Sequence, residues 1–158
     1  MREAYDVAVG LLAKREHSVQ QLQRKLAQRG FDEQAIARAL EDCQRLNLQS
    51  DTRFAEATCR SRIARGYGPV MIQQLLQHDG VAADIIEHVL DEINQEIDWV
   101  AAALAVWMKK FAASQGLVDR LDAPNKARQK QWQFLRYRGF ADATVRSVFE
   151  ALEAESNY

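Results

Sequence analysis

Apolar positions recur along the chain in three matching segments. Aligned on Gly30, Gly80 and Gly139, they read "LAQRGFDEQAIARALEDC", "LQHDGVAADIIEHVLDEI" and "LRYRGFADATVRSVFEAL". Leu26, Leu76 or Leu135 stands four residues before each glycine, and Phe31, Val81 or Phe140 stands one after. Beyond these come Ile36, Leu40 and Cys43; Ile86, Leu90 and Ile93; Val145, Phe149 and Leu152. All fifteen positions are apolar, where a composition of 47% would fill about seven by chance. The spacing predicts a helix ended by a left-handed glycine, an apolar residue folding back onto it, and a second helix with steps of four and three. Further helical runs, Ala4–Arg15, Asp51–Arg65 and Asp98–Ala113, precede each pair, with Ser18, Asp51 and Asp98 as expected N-caps.

The chain therefore reads as all-α, with three tandem three-helix, helix-turn-helix-like units at residues 1–48, 49–97 and 98–158. The glycine-to-glycine offset grows from 50 to 59 residues, placing the longest loop at residues 113–125. Units of about 50 residues are small for independent stability, so neighbouring repeats should bury surface against one another.

Between the first two helices of the middle repeat stands Gly66-Tyr67-Gly68-Pro69. A phosphate-gripping loop would need a following Gly-Lys-Ser/Thr and a preceding strand, and neither is present. The alternative is a tight corner: Gly66 ends one helix, Pro69 opens the next, and Tyr67 is a core plug or a contact residue. Substituting Gly66 or Gly68 should strain the corner wherever φ is positive.

With 158 residues and 27% charged residues, the composition is that of a soluble globular protein. No apolar run suits a membrane span, and the first residues lack a signal-peptide core, so a cytoplasmic protein is expected. Cys43 and Cys59 then read as buried thiols. His17, His78 and His88 are scattered and suit surface or capping roles rather than metal ligation. Neither Cys43 nor Ser61 has a catalytic partner in motif context. Trp99, Trp107 and Trp132 sit at helical apolar positions and read as packing residues. No enzyme, cofactor or metal site is expected.

Net charge is −1, which does not suit a general nucleic-acid binder, but the charges are striped. From Gly66 to Met108 there is no Lys or Arg, and acids cluster between Asp79 and Asp98. From Ala123 to Ala141 there is no acid, but Lys126, Arg128, Lys130, Arg136 and Arg138 appear. A shorter basic cluster holds Arg53, Arg60, Arg62 and Arg65. Lys126, Lys130, Gln133 and Tyr137 fall on one helical stripe.

Two stretches, "LLAKREHSVQQLQRKLAQRGF" and "NLQSDTRFAEATCRSRIARGYGP", followed by "FLRYRGF", resemble the RecX family of RecA regulators. The resemblance covers most of the chain, and "SDTRFA" followed by "RGYGP" is its most specific part. It implies a non-enzymatic protein of three three-helix units in an elongated, curved array. Such a protein lodges along the RecA–single-stranded DNA filament and restrains ATP hydrolysis, strand exchange and co-protease activity. It also implies a monomer whose own contact with single- or double-stranded DNA is weak. The chain departs from the family where Met71, Gln73 and Asp79 replace basic residues, Leu75 replaces an acid, and "NLQSD" replaces a Tyr-Leu-Asp-Asp pattern. Those changes shift the expected burden toward Lys126–Arg138, and the expected filament-binding face comprises Arg53, Arg60, Arg62, Arg65 and Tyr67, with Lys126, Arg128, Lys130, Tyr137 and Arg138. The rival reading is a stand-alone DNA-binding helix-turn-helix protein, which the net charge and the acidic Asp79–Asp98 stretch disfavour.

Overall fold

The computed structural model describes residues 3–114 and 124–156. These residues form nine α-helices and no strand: α1 Ala4–Lys14, α2 Val19–Gln28, α3 Glu33–Arg45, α4 Asp51–Ala64, α5 Pro69–His78, α6 Ala83–Glu96, α7 Trp99–Phe111, α8 Pro124–Tyr137 and α9 Asp142–Ser156. A short 3₁₀ turn, Ala112–Ser114, follows α7. Most of the loop expected at residues 113–125 lies outside the described residues.

The aligned apolar positions are the core. Of the fifteen, eleven are buried and four, Phe31, Leu90, Ile93 and Leu152, are half-buried. Their spacing follows from one capping device used three times. Gly30, Gly80 and Gly139 all have positive φ. Each donates to the carbonyl three residues back, while the next residue donates to the carbonyl five back: Phe31 to Leu26 at 3.2 Å, Val81 to Leu76 at 3.0 Å, Phe140 to Leu135 at 3.2 Å. This is the Schellman arrangement, in which the residues flanking the last turn make an apolar contact. The leucine four before the glycine and the apolar residue after it are that pair.

The helix starts follow expectation at two of three sites. Ser18 forms a full capping box with Gln21, and Asp98 accepts from the Ala101 amide. Asp51 corrects the third expectation: it is the first residue of α4, and the Ser50 hydroxyl accepts from the Arg53 amide instead. The Asp51 carboxylate turns to the start of α2, accepting from the Val19 amide at 3.0 Å and from Gln49 Nε2 at 2.9 Å. His17 is also a correction, because it is 1% exposed rather than on the surface. Its Nδ1 lies 3.0 Å from the Arg15 carbonyl, and burial pushes its pKa below the usual 6.5.

The helices form two compact units. The first runs to Cys59 and takes in Leu75–Val89; the second takes in Arg60–Gln74 and the chain from Leu90 on. The core of the first centres on α1, α2 and α3, with Ala8, Leu22, Leu26 and Cys43 fully enclosed. Cys59 is likewise buried and in no disulfide. The core of the second gathers Ala103, Trp107, Leu135, Phe140, Val145, Val148 and Phe149. There Trp107 donates to buried Gln131 at 3.0 Å, and Trp132 stacks on Phe149.

Successive repeats use one close approach twice. A Cβ on Gly80 would meet the Gln20 side chain, in the first turn of α2. A Cβ on Gly139 would meet Cβ and the backbone nitrogen of Met71, in the first turn of α5. Each glycine turn thus sits on the second helix of the repeat before it. At Gly30, in the first of the three repeats, nothing lies within 4 Å of an added Cβ.

Candidate partner-binding corner and cavity

The corner after α4 begins with the same cap. Gly66, at φ 86°, donates to the Ile63 carbonyl, and Tyr67 donates to the Arg62 carbonyl. Pro69 is the first residue of α5, where its missing amide proton would have had no helical partner. Gly68 is different, because its φ is not positive. Its requirement is space: an added Cβ would lie 2.5 Å from the Gly139 carbonyl oxygen. The Gly68 amide donates to the Arg138 carbonyl at 2.8 Å, and Val70 donates to the Gly139 carbonyl at 2.9 Å. The corner of the middle repeat is therefore bonded backbone to backbone with the glycine turn of the third.

That docking assembles a cationic and aromatic cluster from distant sequence. The Arg138 side chain returns over the corner and donates to the Arg65 carbonyl at 3.1 Å, at the C-terminal end of α4. A cation there also complements the helix dipole. Its guanidinium lies 4.8 Å from the Tyr67 ring centroid and 5.3 Å from that of Phe134. Arg62 approaches Tyr67 at 5.8 Å, and the Lys110 ammonium approaches Phe134 at 5.4 Å. Tyr67 is half-buried, between the core plug and the contact residue that the sequence allowed.

Beside the cluster lies a cavity of about 520 Å³. Ala102, Ala105, Val106 and Phe134 supply apolar lining, and Arg65, Lys109, Lys110 and Arg138 supply cations. Among the described residues no carboxylate lines it. Lys109 and Lys110 were absent from the sequence-based site. The available signal was their place as the first cations after the Lys- and Arg-free stretch, in "WMKKF".

The other expected residues lie elsewhere. Lys126, Lys130 and Tyr137 are exposed along α8, Tyr137 at 75%. Arg128 pairs with Glu153 at 2.7 Å and lies over the Phe149 ring. Arg60 is exposed at the end of α4. Arg53, in the first compact unit, bonds Glu16 at 3.0 Å and holds Asn47 through both its side-chain oxygen and its carbonyl. Asn47 carries a positive φ, so Arg53 braces the turn between α3 and α4. Among the described residues no cluster of three potential metal ligands occurs, and no helix is long and apolar enough to cross a membrane.

The three repeats have counterparts in known proteins. Sequence models of the first, second and third three-helix domains of RecX match residues 4–43, 50–90 and 96–149. A protein of Legionella pneumophila (strain Corby) named "Regulatory protein RecX" is 43% identical over the whole of this chain and 99% of its own length. One so named from Halorhodospira halophila is 39% identical over 95% of this chain and 88% of its own. The crystal structure of RecX from Lactobacillus salivarius has the same fold, with a TM-score of 0.78 at 21% identity over 96% of this chain and 95% of that one. Three domain matches in order, and relatives aligned along nearly their full length, establish that the chain belongs to the RecX family of regulatory proteins.

Proposed function

We propose that this protein is a non-enzymatic regulator that binds the RecA–single-stranded DNA filament and restrains its ATP hydrolysis, strand exchange and co-protease activity. Membership of the RecX family supports the partner. The observation that carries the binding face is the docking of the middle-repeat corner on the third-repeat turn, which gathers Arg62, Arg65, Tyr67 and Arg138 from opposite ends of a 73-residue separation. The exposed Lys126, Lys130 and Tyr137 extend the face along α8.

The physical basis is the summing of weak contacts. Lysine and arginine gain by displacing counterions from filament phosphates, and the gain falls as salt rises. Three tandem three-helix units present several such surfaces on one chain. Once one is engaged, the others bind at high effective concentration. Preference for the assembled filament over free RecA then shifts the assembly equilibrium. The protein acts as a monomer in the cytoplasm.

The test is RecA's DNA-dependent ATP hydrolysis titrated with the parent protein and with Lys126→Glu/Lys130→Glu. Inhibition by the parent, weakened in the variant and less salt-dependent, supports the proposal. An inhibition curve unchanged by the double reversal removes α8 from the face. Tight, sequence-selective binding to duplex DNA at about 0.15 M salt without RecA would replace the reading with a stand-alone DNA binder.

A further inference from the structure

The cavity beside the corner has a composition that selects a ligand class. Its apolar lining, from Ala102, Ala105, Val106 and Phe134, is bordered by Arg65, Lys109, Lys110 and Arg138. Among the described residues none of those four cations pairs with a carboxylate, whereas Arg53, Arg128 and Arg136 all do. Four cations converge here on a protein whose net charge is −1, so the positive field is local. The volume, about 520 Å³, lies within the usual range for a ligand pocket.

We infer that this cavity is a docking site for an acidic peptide segment of a partner protein, with one bulky apolar side chain seated against Ala102, Ala105 and Val106. Carboxylates flanking that anchor would meet Arg65, Lys109, Lys110 and Arg138. Charge-assisted hydrogen bonds supply orientation, and burial of the anchor supplies affinity. The occupant is a peptide rather than a nucleic-acid strand because the aromatic faces are already used. Arg62 and Arg138 approach Tyr67, and Lys110 and Arg138 approach Phe134, where a base would have to stack. The aliphatic lining offers a base nothing beyond burial, but suits a leucine or phenylalanine.

The inference goes beyond the filament reading and is tested without RecA or DNA in the primary assay. A fluorescently labelled peptide with one leucine between runs of aspartate and glutamate is titrated with the full chain, with anisotropy as the readout. Saturable binding is expected. Replacing the acids by their amides, or the leucine by serine, should weaken it by about tenfold or more. Ala105→Trp fills the cavity from an exposed helix position, and Lys109→Glu reverses an exposed cation. Each should weaken binding about tenfold while leaving far-UV circular dichroism unchanged. Absence of saturable binding, equal affinity for the amide peptide, or parental affinity in folded Ala105→Trp and Lys109→Glu would each overturn the site. Displacement of the peptide by oligothymidylate at lower concentration than by unlabelled peptide would assign the cavity to nucleic acid and also overturn it.

Discussion

Replacing Gly68 by alanine isolates a steric requirement from a conformational one, because Gly68 does not have a positive φ. The new Cβ would lie 2.5 Å from the Gly139 carbonyl oxygen and 2.6 Å from its carbon, both fixed backbone atoms. A carbon normally stays at least about 3.3 Å from such an oxygen, so the two segments must part by about 0.8 Å. The bond from the Gly68 amide to the Arg138 carbonyl is 2.8 Å long. Lengthened by that amount it would reach about 3.6 Å and no longer count as a hydrogen bond. The adjacent bond from Val70 to Gly139, 2.9 Å long, would be lost with it. Two lost bonds at about 1 kcal/mol each, with overpacking strain of about 1–3 kcal/mol, come to about 2–4 kcal/mol after the smaller entropic benefit of alanine. All three tryptophans, Trp99, Trp107 and Trp132, lie in the second compact unit, as do Gly68 and Gly139. Tryptophan fluorescence in urea therefore follows the affected unit, and its midpoint should fall by about 1–2 M. Gly10→Ala is the control: nothing lies within 4 Å of its added Cβ inside α1, so it should stabilise the first unit by about 1 kcal/mol. A Gly68→Ala protein melting like the parent would refute the claim that backbone approach, rather than turn geometry, explains this glycine.

Other consequences follow from the same contacts. Asp51→Ala should lower the stability of the first unit by about 2 kcal/mol in urea melts, because Val19 and Gln49 lose a charged acceptor; Asp51→Asn, which keeps the oxygen, should recover part of it. Burial lowers the folded-state pKa of His17 below the 6.5 of an exposed histidine, so the unfolded chain binds the proton first. The stability from the neutral ring is complete above that value and is lost as pH falls through the folded pKa. Urea midpoints read by circular dichroism should therefore decline between about pH 7 and 5, with a smaller slope in His17→Asn. Arg138→Ala removes a bond to the Arg65 carbonyl and two cation–ring contacts, so the fluorescence-monitored melt should lose about 1–2 kcal/mol. Retention of the parental midpoint would mean that water replaces those contacts without loss.

The sequence alone determined the all-helical architecture, because its signals are local. A leucine, a glycine and an apolar residue at fixed spacing suffice for a Schellman turn, whatever surrounds it. Ser18 and Asp98 were legible as caps for the same reason. Asp51 was misread because its competing partners, Val19 and Gln49, are brought to it only by the fold. His17 carries no burial signal in its neighbours, since its enclosure comes from the surrounding packing. The candidate binding face divides along the same line. The basic stripe of α8 follows from helical spacing, and Lys126, Lys130 and Tyr137 are exposed as that spacing suggests. The corner cluster needed tertiary structure: nothing local joins Arg65 to Arg138, or turns Lys109 and Lys110 toward the same cavity. Gly68 shows why. Its neighbours along the chain suggested a conformational role, while the atoms that exclude a Cβ belong to Gly139, 71 residues away. Helix geometry is set by torsions within a few residues, but close approach is set by whatever packing brings into range.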